Sequence, residues 1–98
     1  MIDYVDTTEL DFAQWLNQIM DEHSISGSDL ARALSTKERK VNRSTISLWR
    51  SGERCSPSCS LRVRLAEYLA SLEVDAFNPL VKEILWRVHV SEWRAENA

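Results

Sequence analysis

Val41-Asn42-Arg43-Ser44-Thr45-Ile46-Ser47-Leu48-Trp49-Arg50-Ser51-Gly52 is the stretch that decides the fold. Asn42 is a favoured N-cap, because its side chain can accept from an unpaired amide of a first helical turn. Gly52 suits the left-handed position that ends a helix. Between them Ile46 and Trp49 lie three apart and so share one face. Arg43, Ser44 and Ser47 share another, with Ser47 at i+4 and i+3 from the other two. The expectation is a short helix over residues 43 to about 50, apolar underneath and polar where it starts.

Upstream, Leu30, Ala31 and Leu34 mark another short helix, which Ser26 or Ser28 can cap within Ser24-Ile25-Ser26-Gly27-Ser28. Leu30, Ile46 and Trp49 can then meet in one small core that fixes the angle between the two helices. Residues 35–41, polar and basic without apolar periodicity, read as the loop joining them. Before these, Phe12, Ala13, Leu16, Ile19 and Met20 form an apolar stripe with Trp15 beside it. Thr8 is the expected cap of that first helix, and Asp11 completes a capping-box-like pair.

Downstream, a turn at Pro57 precedes Leu61, Leu65, Ala66, Leu69 and Leu72, which mark a fourth helix. Asn78-Pro79 supplies a cap and a proline at the first helical position of a fifth. No repeat or long linker divides the chain. The fold class expected is all-α with about five helices, organised as residues 1–77 and a C-terminal helix over 78–98.

Composition agrees. The chain has 98 residues, 44% hydrophobic, with 2 Gly and 2 Pro, too apolar for disorder and too poor in turn residues for a many-stranded sheet protein. No apolar run approaches a membrane span, and the acidic start lacks a signal-peptide pattern, so no membrane association and a cytoplasmic location are expected. Cys55 and Cys59 read as reduced thiols in a turn, because a bridge there would close only a tiny loop. A zinc site would need further ligands, and His23 and His89 have no paired spacing, so no metal and no cofactor are expected. No nucleophile–base–acid spacing or phosphate-cradling glycine loop is present, which argues against an enzyme.

The net charge of −3 hides a strong asymmetry. Residues 1–31 carry −7, with no Lys or Arg; residues 32–64 carry +7; residues 65–98 carry −3. A basic middle between acidic ends points to a polyanionic partner. At the start of the third helix, Arg43, Ser44 and Ser47 can reach base edges in a major groove, Arg as the usual bidentate partner of guanine. Thr45 can bind a phosphate or serve as a cap. Arg50 and Arg54 suit backbone phosphates. Lys37, Arg39 and Lys40 form either a phosphate-contacting or a solvated basic loop.

Ser26-x-x-x-Leu30-Ala31, the 41–52 stretch, Pro57-Ser58 and Leu65-Ala66-x-x-Leu69 occur in an order that resembles the phage-repressor and Cro-like (XRE-type, lambda-repressor-like) helix-turn-helix family, over about residues 10–72. The resemblance implies a helix-turn-helix DNA-binding domain in which the positions of Arg43, Ser44 and Ser47 read bases. It implies a small regulator of transcription, a phage or mobile-element repressor or an antitoxin-like autoregulator, with double-stranded DNA as partner. A toxin or antirepressor is a possible protein partner. Two features depart from the family pattern. Residues 36–40 lengthen the turn, and Gly27 stands where a phosphate-binding Gln is common, leaving a backbone N–H at a helix start to take the phosphate. The rival reading is a protein-interaction module that keeps the fold and docks its basic face on an acidic partner.

The fifth helix carries two stripes, Leu80-Val81-Ile84-Leu85-Val88 and Trp86-Val90-Trp93. A helix apolar on two sides has two things to pack against. The first stripe is expected to cover the core, and Trp86, Val90 and Trp93 to form a homodimer interface on a palindromic site.

Overall fold

Asp11, not Thr8, starts the first helix. Its carboxylate accepts from the Gln14 amide at 2.9 Å, and the Gln14 side chain accepts from the Asp11 amide at 3.1 Å, a complete capping box. The next amide, Phe12 N, donates to Ser91 Oγ from the far end of the chain at 2.9 Å. The computed structural model describes residues 9–53 and 56–97, so Thr8 lies outside the described residues.

Within them the chain is all-α. It forms α1 (Phe12–Glu22), α2 (Gly27–Leu34), α3 (Arg43–Ser51), α4 (Cys59–Ser71) and α5 (Phe77–Glu96), with no strand among the described residues. None of these helices is long and apolar enough to cross a membrane.

Local chemistry sets most of the boundaries. Ser26 caps α2, its Oγ accepting from the Asp29 amide at 3.0 Å. Asn42 occupies the N-cap position of α3 with extended backbone but makes no side-chain cap bond. Gly52 ends α3 at φ 79°, where a Cβ would strain the backbone. Helix α5 begins two residues before the expected start at Pro79, with Ala76 rather than Asn78 as N-cap. Pro79 is therefore the third helical residue, and the amide it lacks is one that a first turn leaves without a helical partner. The ladder starts with Leu80 N donating to the Ala76 carbonyl at 3.1 Å.

The core lies where the five helices face inward. Helix α3 packs on α1 and α2, α4 on α2 and α5, and α1 on α5. Phe12, Leu16, Leu30, Ile46, Leu65, Leu69 and Ile84 are buried in one cluster. Each such side chain contributes about 1.5–3 kcal/mol relative to exposure. Phe12 and Trp49 meet edge to face with ring centroids 6.2 Å apart, joining α1 to α3. Trp15, expected beside the first stripe, is itself in the core. Leu80, Ile84 and Val88 bring α5 into the same cluster, so α5 completes the core.

Two expectations about apolar faces are corrected. Leu72 does not continue the α4 stripe, because it is the C-cap of α4 and 40% exposed. Leu85 does not face the core either and is 49% exposed. With about 100° between successive helical residues, Leu85 lies roughly a quarter turn from Ile84.

Candidate nucleic-acid interface

The third helix is held by its apolar side. Ile46 and Trp49 are buried, while Arg43, Ser44 and Ser47 are exposed. The three candidate base-reading side chains therefore lie on the outward face at the N-terminal end of α3. Thr45 is half-buried beside them, and its amide donates to the Asn42 carbonyl at 3.0 Å.

The N-terminus of α2 borders the same surface. Ser26, Gly27 and Ser28 line an open cleft of about 450 Å³ together with Arg43, Ser47 and Arg50. The Gly27 and Ser28 amides belong to a first helical turn, where no intrahelical acceptor exists. Such amides, with the partial positive charge of a helix start, are suited to an anion. Gly27 lies against Arg43, since a Cβ there would be 3.6 Å from Arg43 Cγ, an ordinary van der Waals contact. Asp29 in the same turn pairs with Arg32 at 3.9 Å, and both side chains are well exposed, so that pair contributes little.

Arg50, an expected phosphate contact, is bonded within the chain. Its Nε donates to Asn17 Oδ1 at 2.6 Å, and its carbonyl accepts from Asn17 Nδ2 at 2.9 Å. A longer contact of 3.9 Å links it to Asp21. These bonds turn the guanidinium towards α1 while it still lines the cleft. Arg54, the other expected flanking cation, lies outside the described residues.

The loop between α2 and α3 has internal order. Ser35 Oγ donates to the Ala31 carbonyl at 2.8 Å and accepts from Val41 N at 2.8 Å, closing the loop at its base. Thr36 N donates to the Arg39 carbonyl at 2.7 Å, and Thr36 Oγ1 accepts from Arg39 N at 3.0 Å. Lys37, Arg39 and Lys40 are exposed on that turn and make no ion pair. Two other cations of the +7 segment are used internally. Arg62 Nε donates to the Pro57 carbonyl at 2.9 Å. Arg64 donates to the carbonyls of Leu34 at 3.0 Å and of Ala33 and Ser35 at 3.3 Å, closing the open end of α2. Among the described residues, Lys37, Arg39, Lys40 and Arg43 are thus the exposed cations around α3 without an internal partner.

Sequence reasoning missed Asn17, Ser35 and Arg64, the residues that fix α3, the loop and the end of α2. The charge pattern treated Arg64 as one more surface cation, and nothing in its spacing marks a contact thirty residues away.

The expected dimer stripe is altered. Val90 is completely buried within the chain and cannot meet a second copy. Trp86 remains 36% exposed, 5.5 Å from the His89 ring, and Trp93 is half-buried. Leu85, Trp86, His89 and Trp93 share the outward side of α5 by helical spacing.

Among the described residues no group of three or more His, Cys, Asp or Glu is placed to hold a metal ion. Comparison of the chain with protein-family models, curated proteins and solved structures returns no match.

Proposed function

We propose that the protein is a sequence-specific double-stranded DNA-binding regulator in which α2 and α3 form the helix-turn-helix unit. The observation that carries this reading is the shared surface at the start of two helices. Arg43, Ser44 and Ser47 stand outward on α3, beside the open amides of Gly27 and Ser28 on α2. In a major groove the first group meets base edges, and the second meets a phosphate of the adjoining strand. Lys37, Arg39 and Lys40 extend the phosphate contact beyond the start of α3. Arg50 steadies the helix.

One such domain covers a small half-site, so a pair acting about one DNA turn apart supplies affinity and specificity. Leu85, Trp86 and Trp93 on the outer side of α5 are the residues for that pairing, with Val90 removed from the earlier set. The regulator acts as a repressor of the phage or mobile-element kind or as an antitoxin-like autoregulator.

The test is selection of bound duplexes from a random DNA pool. Enrichment of one motif with inverted half-sites supports the reading. Retention without any enrichment reduces the contact to a non-specific one with phosphates, and no retention at low salt leaves the basic face as a docking surface for an acidic protein instead.

A further inference from the structure

One large apolar side chain of α3 faces away from the core. Ile46 and Trp49 are buried, but Leu48 is 38% exposed. With about 100° between successive helical residues, Leu48 lies about 40° to one side of Ser44, and Ser47 about 60° to the other. Arg43 lies beyond Ser47, and both of these line the cleft against the start of α2. Leu48 does not line that cleft and occupies the opposite flank of the outward face.

Its surroundings narrow what it can meet. The residues one turn away on either side are Ser44, Thr45, Ser51 and Gly52. All four are small, so the leucine is the tallest group on its flank of the helix. None adds large apolar surface, whereas the centre of a protein-docking patch is built from several large side chains. One isobutyl group projecting from a polar, close-approaching face matches a major groove, where thymine presents a 5-methyl group among polar base edges.

We propose that Leu48 is a specificity-determining residue that contacts the 5-methyl group of a thymine, on the side of α3 away from Arg43. This rests on the DNA reading and adds to it a base that its polar residues do not select. Arg43 discriminates by hydrogen bonds. Leu48 discriminates by taking two apolar surfaces out of water, which a base without the methyl group does not repay.

The motif enriched from the random pool is rebuilt with each thymine replaced singly by deoxyuridine, which lacks only the 5-methyl group, and the affinity of the full chain is measured. The expected result is a thymine whose replacement weakens binding about fourfold, the effect of leaving one methyl-sized group in water. Leu48→Ala should bind the thymine and uracil duplexes equally at that position, with thermal unfolding unchanged because the side chain is exposed. Leu48→Met, apolar and of similar reach, should keep the preference, and Arg43→Ala should keep it on a weaker complex. A motif without thymine, or one insensitive to every replacement, overturns the assignment while the DNA reading stands. A methyl effect that survives in Leu48→Ala moves the contact to another residue and also overturns it. The absence of any enriched motif overturns it together with the reading on which it rests.

Discussion

Asn17 on α1 and Arg50 on α3 grip each other at two points. The asparagine accepts from the arginine Nε at 2.6 Å and donates to its carbonyl at 2.9 Å. One amide side chain thus ties both the main chain and the side chain of the last turn of α3 to the first helix. Together with the buried Ile46 and Trp49, this fixes how the polar face of α3 is presented.

Removing that grip should loosen α3 without touching its outer face. Asn17→Ala loses two partly buried hydrogen bonds and should destabilise the fold by about 1–3 kcal/mol. Chemical denaturation measures it. Unchanged stability would mean that packing of Ile46 and Trp49 alone sets the position of α3.

Arg64 and Lys37 both belong to the basic segment, yet they should behave differently. Arg64→Ala leaves the carbonyls of Ala33, Leu34 and Ser35 without their donor and should lower stability by about 1–3 kcal/mol, with the salt dependence of DNA binding unchanged. Lys37→Gln should leave stability unchanged and reduce the salt slope by about one unit for each bound copy. Equal effects of the two substitutions on the slope would contradict the division into internal and DNA-facing cations.

The loop between α2 and α3 is closed at its base by Ser35 and Val41, so residues 36–40 are expected to be removable. Their deletion should leave cooperative unfolding intact and flatten the salt dependence, because three exposed cations depart with it. Loss of the unfolding transition would show that the Thr36–Arg39 turn is needed to set the ends of α2 and α3.

Much of this was legible in the sequence because it is local. Ser26, Gly52 and the spacing of Leu30, Ala31 and Leu34 act within a turn or two of themselves, and they placed α2 and α3 nearly at their observed limits. The start of α1 was not legible, since Thr8 and Asp11 are both acceptable caps. The observed cap is supported by Gln14 and by Ser91, which is distant in the chain. The faces of α5 were only half legible. Periodicity groups Leu85 with Ile84 and Val90 with Trp86, but which side is covered depends on where the rest of the chain lies. Leu85 is exposed and Val90 buried, the reverse of the expected pattern. The roles of Asn17 and Arg64 lie in contacts more than twenty-five residues apart, which no local pattern reports.

Pairing through α5 is tested at its most exposed residue. Leu85→Asp should give a folded monomer that binds a half-site almost normally and an inverted repeat poorly, as seen by light scattering and by titration with the two duplexes. A monomer for the unmutated chain at tens of micromolar, with and without DNA, would remove α5 as the pairing surface.

Base reading by Arg43 should appear as lost discrimination. Arg43→Ala should cost about 1–3 kcal/mol on the selected site and relax preference at one base position. A loss equal on selected and scrambled duplexes would move Arg43 to the phosphate-binding group.

The most direct measurement is the affinity of the folded protein for a duplex selected from a random pool, against a scrambled duplex of the same composition, across a salt series. Contact by Lys37, Arg39 and Lys40 from each of two copies places about six phosphates in the interface. Affinity should then fall by about 10³-fold between about 50 and 200 mM salt. The selected duplex should stay at least about 10³-fold tighter than the scrambled one at each concentration. Equal, salt-insensitive binding of the two duplexes, or none at low salt, would contradict α3 as a DNA-reading helix.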